Sequence, residues 1–208
     1  RMALKLAIDR EQMVQLILQG YASVGNDFPI NRFYDLCPED LEQRTYDPDK
    51  AAFHYKKSGH SGPILLRASE VAFPGAVEAA QLYQQQAAKA GISLDVKREP
   101  GDGYWSEVWN VQPFCASYWG GTPTQNAMYS TAYMMGSTWN DSRFFNERFD
   151  KLILDARGEL DRTKRAGYYR EAASILRDEG GVVIPVFNDF IEAHREEVQG
   201  WVHEANSE

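Results

Sequence analysis

Two short stretches hold the residue types best suited to gripping a small molecule. In CASYWGGTPTQN (115–126), Tyr118 and Trp119 end a predicted strand, and Gly120, Gly121 and Thr122 follow. Aromatic rings offer stacking faces, and a glycine pair lets backbone approach a ligand closely. Ligands of α/β sheets sit beyond the C-terminal ends of strands, where this loop falls. In MGSTWNDSRFFN (135–146), Trp139 stands beside Asn140 and Asp141. These residues suit a cleft lining, and equally suit the pinning of a loop. For the first stretch the competing reading is a tight turn carrying two core aromatics.

Catalytic templates are missing. GHSGP (59–63) begins like a nucleophile elbow but has Pro63 where the last glycine should stand, so it reads as a turn. There is no phosphate loop, no H-E-x-x-H and no G-x-G-x-x-G. His54, His60, His194 and His203 have no metal-ligand spacing with one another or with the cysteines. No catalytic residue, metal or cofactor is expected from these motifs.

The elements that must position these loops follow from periodicity and caps. Residues 1–8 read as the tail of a helix. Asp9 caps the next turn with Gln12 as capping-box partner, Met13, Val14, Ile17 and Leu18 form its apolar face, and Gly20 ends it. Residues 21–46 have no period and read as a long irregular connection. Asp47-Pro48 opens a helix through Lys57, closed by Gly59. Residues 63–69 and 92–100 read as strands, with a helix from Pro74 to Gly91 between them. A short helix over 101–110 and a short strand over 113–119 precede the glycine pair. Asn146 caps a helix whose Phe149, Leu152, Ile153 and Ala156 share one face, and Asp161 caps another that stops at Gly180-Gly181. The apolar run 182–187 reads as a buried strand. Alternating strands and helices predict an α/β layer architecture.

The 208 residues carry a formal net charge of −8 with the signs interspersed, which argues against nucleic acid as partner. No apolar run approaches the length of a membrane-spanning helix. Cys37 and Cys115 either form a disulfide closing a long loop or remain two small buried thiols. The chain opens directly on an amphipathic helix, as a piece of a longer protein would.

Several segments together resemble the C-terminal lobe of the family 5 extracellular solute-binding proteins, the peptide/nickel/opine receptors of ATP-driven importers. ALKLAIDREQMVQLILQGYA is similar to the helix that opens that lobe. YDPDKAAFHYKKSG, QQQAAKAGISLDV and EEVQGWV match further family segments, and the stretch from FNERFDKL to EGGVVIPVF matches best. The resemblance implies a periplasmic-binding-protein-like (type II) lobe, a mixed β-sheet flanked by helices. It implies that 1–187 form the ligand-binding lobe and that 188–208 cross back to an N-terminal lobe. It further implies a periplasmic or extracytoplasmic receptor that closes on a peptide or peptide-like solute and presents it to a membrane permease. Peptide binders of the family hold the ligand's α-ammonium with an Asp in the loop corresponding to YWGGTPTQN, which here has no acidic residue. The expected ligand-binding set is therefore Tyr118, Trp119, Gly120, Gly121, Thr122, Trp139 and Asn140, acting by stacking and hydrogen bonding. A sugar, an opine, a metal chelate or a blocked peptide fits such a surface as well. A fold-related protein-interaction module is a further alternative.

Overall fold

In the computed structural model of the chain, residues 1–200 are described. Two parallel strands, β2 (Ile64–Ala68) and β3 (Leu94–Arg98), pair in register from Ile64↔Leu94 to Ala68↔Arg98. Helix α4 (Ala76–Ala88) connects them and lays Val77, Ala80, Tyr83 and Ala87 on the strands. Helices α1 (Met2–Leu6) and α3 (Pro48–Ser58) pack against each other and bury Ala3, Ala7 and Ala51 in the same core. The expected strand over 113–119 is reduced to one bridge, Arg67↔Cys115. Its hydrogen bonds are Arg67 N–H to Phe114 O (3.1 Å) and Ala116 N–H to Arg67 O (2.8 Å).

A second core is helical. α5 (Gln125–Ala132), α6 (Glu147–Gly158) and α7 (Arg162–Glu179) surround Tyr129, Phe149, Leu152, Ile153 and Leu176. The caps read from the sequence are made: Asn146 accepts from Phe149 N–H, Asp161 from Lys164 N–H and Asp47 from Lys50 N–H, each at 2.9 Å. Asp9 likewise accepts from Gln12 N–H at 3.0 Å. The reciprocal half of that capping box is different, because Asp9 N–H donates to Gln86 of α4 at 2.8 Å. α2 (Arg10–Gln12) then widens into a π-turn, Met13–Ile17.

Two readings of the crossing region change. The connection 21–46 contains a strand, β1 (Ala22–Val24), paired antiparallel with β4 (Val186–Asn188). The run 182–187 is half-buried rather than fully buried, and only its end is strand. Pairing was invisible locally because β1 spans three residues and its partner lies at the far end of the chain. Just past β1, Gly25 passes so close to the crossing segment that a Cβ there would lie 2.3 Å from Ile184 O. Residues 189–200 are exposed and form no helix or strand, and 201–208, the remainder of the expected crossing segment 188–208, lie outside the described residues.

A buried ionic cluster fastens this junction. Asp27, at φ 60° and fully buried, accepts from Arg10 (2.8 Å) and Arg44 (3.1 Å) on Oδ2 and from Ile184 N–H (3.0 Å) on Oδ1. Arg44 also reaches Asp178 at 2.6 Å. Lys5, with no exposed surface, donates to Arg177 O at 2.7 Å near the C-terminus of α7. Burial pulls the Lys5 ammonium down to about 8, with Asp27 opposing and Arg44 reinforcing the shift. The folded protein therefore releases this proton before the unfolded chain does, and stability rises with pH above about 8 until the unfolded-state lysine titrates. The slope is at most about 1.4 kcal/mol per pH unit. Burial pushes Cys37 up to about 11, which lowers stability once pH exceeds the ordinary thiol range. Denaturation of wild type and Lys5→Met, measured between about pH 8 and 9, should show the rise in wild type and its loss in the variant.

Candidate functional site

Four indoles pack against one another, and two of them donate to one carboxylate. Gly103, at φ 76°, starts a second π-turn, Tyr104–Val108. The buried Tyr104 donates its hydroxyl to Ala116 O at 2.6 Å and so anchors the turn to the segment bearing Tyr118 and Trp119. Residues four apart share a face of a turn, and Trp105 and Trp109 accordingly lie 6.1 Å apart. Trp109, Trp119 and Trp139 meet pairwise at 5.5 to 6.3 Å with interplanar angles of 57° to 67°. Trp109 Nε1 donates to Asp141 Oδ2 at 2.7 Å, and Trp119 Nε1 donates to the same oxygen at 3.3 Å.

Asp141 is half-buried and, among the described residues, forms no ion pair. Burial raises its pKa, and the indole N–H groups of Trp109 and Trp119, with the N–H of Ser142, pull the other way. The guanidinium of Arg143, tied to Asn140 O and Asn110 O, also lowers the Asp141 pKa from a distance without pairing with it, and a carboxylate oriented by neutral donors with no ion pair of its own suits an incoming cation. The indoles add an electrostatic preference of the same sign.

The expected site residues separate into two groups. Tyr118, Trp119 and Trp139 come together, with Tyr118 and Trp139 each 55% exposed. Gly120 is half-buried and Gly121 exposed beside them. Thr122 is turned to the scaffold: its N–H donates to Tyr34 Oη at 2.8 Å and its Oγ1 donates to Thr124 O at 3.0 Å. Asn140 holds its own loop. Its side chain is buried, donates to Phe144 O at 2.7 Å and to Tyr133 O at 3.3 Å, and accepts from Phe144 N–H and Ser142 Oγ. Trp105, Trp109 and the pairing role of Asp141 escaped the sequence reading, although the density of aromatics over 104–145 marked the region. Cys37 and Cys115 are both free thiols.

Replacing Trp119 by Ala should weaken solute binding by about 1–3 kcal/mol, since it removes a ring and one of the two indole donors orienting Asp141. Isothermal titration of the full-length protein measures this, and unchanged affinity would make the ring purely structural.

Two small sheets, one parallel and one antiparallel, and the helices packed on them thus present an aromatic surface beside Asp141. The chain belongs to the bacterial extracellular solute-binding proteins, family 5, whose middle region matches residues 1–142. It is 25% identical over 214 residues to the dipeptide-binding protein of Escherichia coli (strain K12), covering 97% of this chain and 39% of that protein. It is 27% identical over 197 residues to di/tripeptide-binding protein 1 of Pseudomonas aeruginosa (strain UCBPP-PA14), covering 86% and 35%. Among solved structures it resembles Campylobacter jejuni NikZ in complex with Ni(L-His), with TM-score 0.79, 18% identity and coverage of 90% and 41%. It also resembles Helicobacter pylori DppA in complex with the peptide STSA, with TM-score 0.73, 17% identity and coverage of 89% and 38%. The fold is that of a type II periplasmic-binding-protein lobe. The chain spans less than two fifths of the length of these two curated relatives.

Proposed function

We propose that this chain is the C-terminal lobe of a two-lobed receptor that captures a short peptide or peptide-like solute outside the cytoplasm for an ATP-driven importer. Residues 1–187 form the lobe, and 188–208 lead toward the N-terminal lobe. Closure of the two lobes on the solute shifts an open–closed equilibrium that the membrane permease reads. The observation that carries the reading is Asp141, oriented by two indole N–H groups and without an ion pair among the described residues. It supplies from another loop the acid that YWGGTPTQN lacks, so a peptide's α-ammonium finds its counter-ion there. Trp119 meets Asp141 through its indole N–H and packs against Trp139, and Tyr118, Gly120 and Gly121 stand next to Trp119 along the chain. Names of the relatives, both receptors for di- or tripeptides, favour peptides over sugars or opines.

The test is titration calorimetry of the full-length protein with free and N-acetylated dipeptides. Binding of the free peptides and loss of binding on acetylation is the expected result. Indifference to acetylation would remove Asp141 from the role of ammonium partner.

A further inference from the structure

We propose that the row of aromatic rings leading away from Asp141 is a subsite selecting a bulky aromatic side chain on the residue that carries the solute's amino group. This rests on the reading of Asp141 as the ammonium partner. Rings follow one another without a gap: Trp139 to Trp109 at 5.5 Å, Trp109 to Trp105 at 6.1 Å and Trp105 to Tyr118 at 5.5 Å. Trp109, the inner ring, holds the carboxylate, and Trp105 lies one ring beyond it. A solute whose amino nitrogen lies at Asp141 has this row within reach of the side chain of its own residue, because Trp109 belongs to the row and also bonds Asp141.

Exposure shows that the row is not simply core. Trp105 is 40% exposed, and Tyr118 and Trp139 are each 55% exposed, a contiguous aromatic patch of the kind that marks binding surfaces. The indole N–H groups of Trp109 and Trp119 are taken by Asp141, so these two present ring surface rather than free donors. An aromatic side chain gains buried area and ring–ring contact there. Glycine gains neither. An acidic side chain loses hydration against the negative faces of the rings. The continuity of the row with Asp141 favours the solute's side chain as its occupant over a contact with the other lobe.

The experiment is calorimetric titration of the full-length protein with Phe-Ala, Gly-Ala, Glu-Ala and N-acetyl-Phe-Ala, repeated on Trp105→Ala and Trp105→Phe. Phe-Ala should bind at least about tenfold tighter than Gly-Ala, with Glu-Ala weakest. Trp105→Ala should shrink the gap between Phe-Ala and Gly-Ala several-fold, with the larger loss falling on Phe-Ala, and Trp105→Phe should restore most of it. Equal loss for both peptides, or no loss, would assign the ring to contact with the other lobe and overturn the subsite. A requirement for the free amine with no preference among side chains overturns the subsite alone. Equal affinity for Phe-Ala and N-acetyl-Phe-Ala overturns the ammonium reading and the subsite together.

Discussion

Asp141→Asn should abolish most solute binding while leaving the fold intact. Truncating one partner of a desolvated charge pair costs about 2–4 kcal/mol, or roughly thirtyfold and more in affinity. Asparagine keeps an acceptor for the indole N–H groups of Trp109 and Trp119 but cannot neutralise a cation. Stability should move the other way. Burial raises the pKa of Asp141, so the folded state disfavours the charge that neutral pH imposes on it. Removing the charge should therefore leave the unfolding free energy unchanged or increased. The same sign governs acid. As pH falls, Asp141 is protonated earlier than an ordinary aspartate, and affinity for a cationic solute declines although this group's contribution to stability improves. Titrations over a pH series, run beside thermal unfolding, separate the two effects. A variant that loses binding and stability together would make Asp141 a packing residue.

Asp27→Ala should be strongly destabilising. It strips both Arg10 and Arg44 of their shared partner while each remains buried. Breaking a buried ion pair from one side costs about 3–5 kcal/mol. Arg10 is poorly placed to recover, since its Nε already lacks a hydrogen-bond partner. The crossing segment also loses the bond from Ile184 N–H, so β4 should detach from β1 before the helical core opens. Asp27→Asn should fall between, because asparagine tolerates the left-handed backbone at φ 60° and keeps the bond to Ile184. Denaturant melts rank the three proteins, and hydrogen exchange at Val186 and Phe187 reports the junction. An Asp27→Ala protein melting within about 1 kcal/mol of wild type, by the scale of ordinary surface substitutions, would mean that Arg10 and Arg44 find water.

Local chemistry explains what was legible in advance. The helices capped by Asp47, Asn146 and Asp161 form where their caps stand, because a cap and the N–H it satisfies are three residues apart. Phe149, Leu152, Ile153 and Ala156 occupy the core as their spacing demands. β2 and β3 likewise lie where period and length placed them. The shortfalls share one cause. The strand at Cys115 shrank to a bridge, β1 appeared inside an apparent loop, and Gln86 replaced Gln12 at the Asp9 cap, each decided by a partner distant along the chain.

The candidate site divides along the same line. By itself the sequence determined the α/β order of elements, the aromatic wealth of 104–145 and the likeness to solute receptors, all of which are local composition or order. Only the tertiary structure decided that Asn140 turns inward, that Trp105 and Trp109 join the cluster, and that Asp141 receives two indole N–H bonds. Those bonds span 32 and 22 residues. No period or cap encodes them, because they arise only when a π-turn, a strand end and a loop are packed against one another.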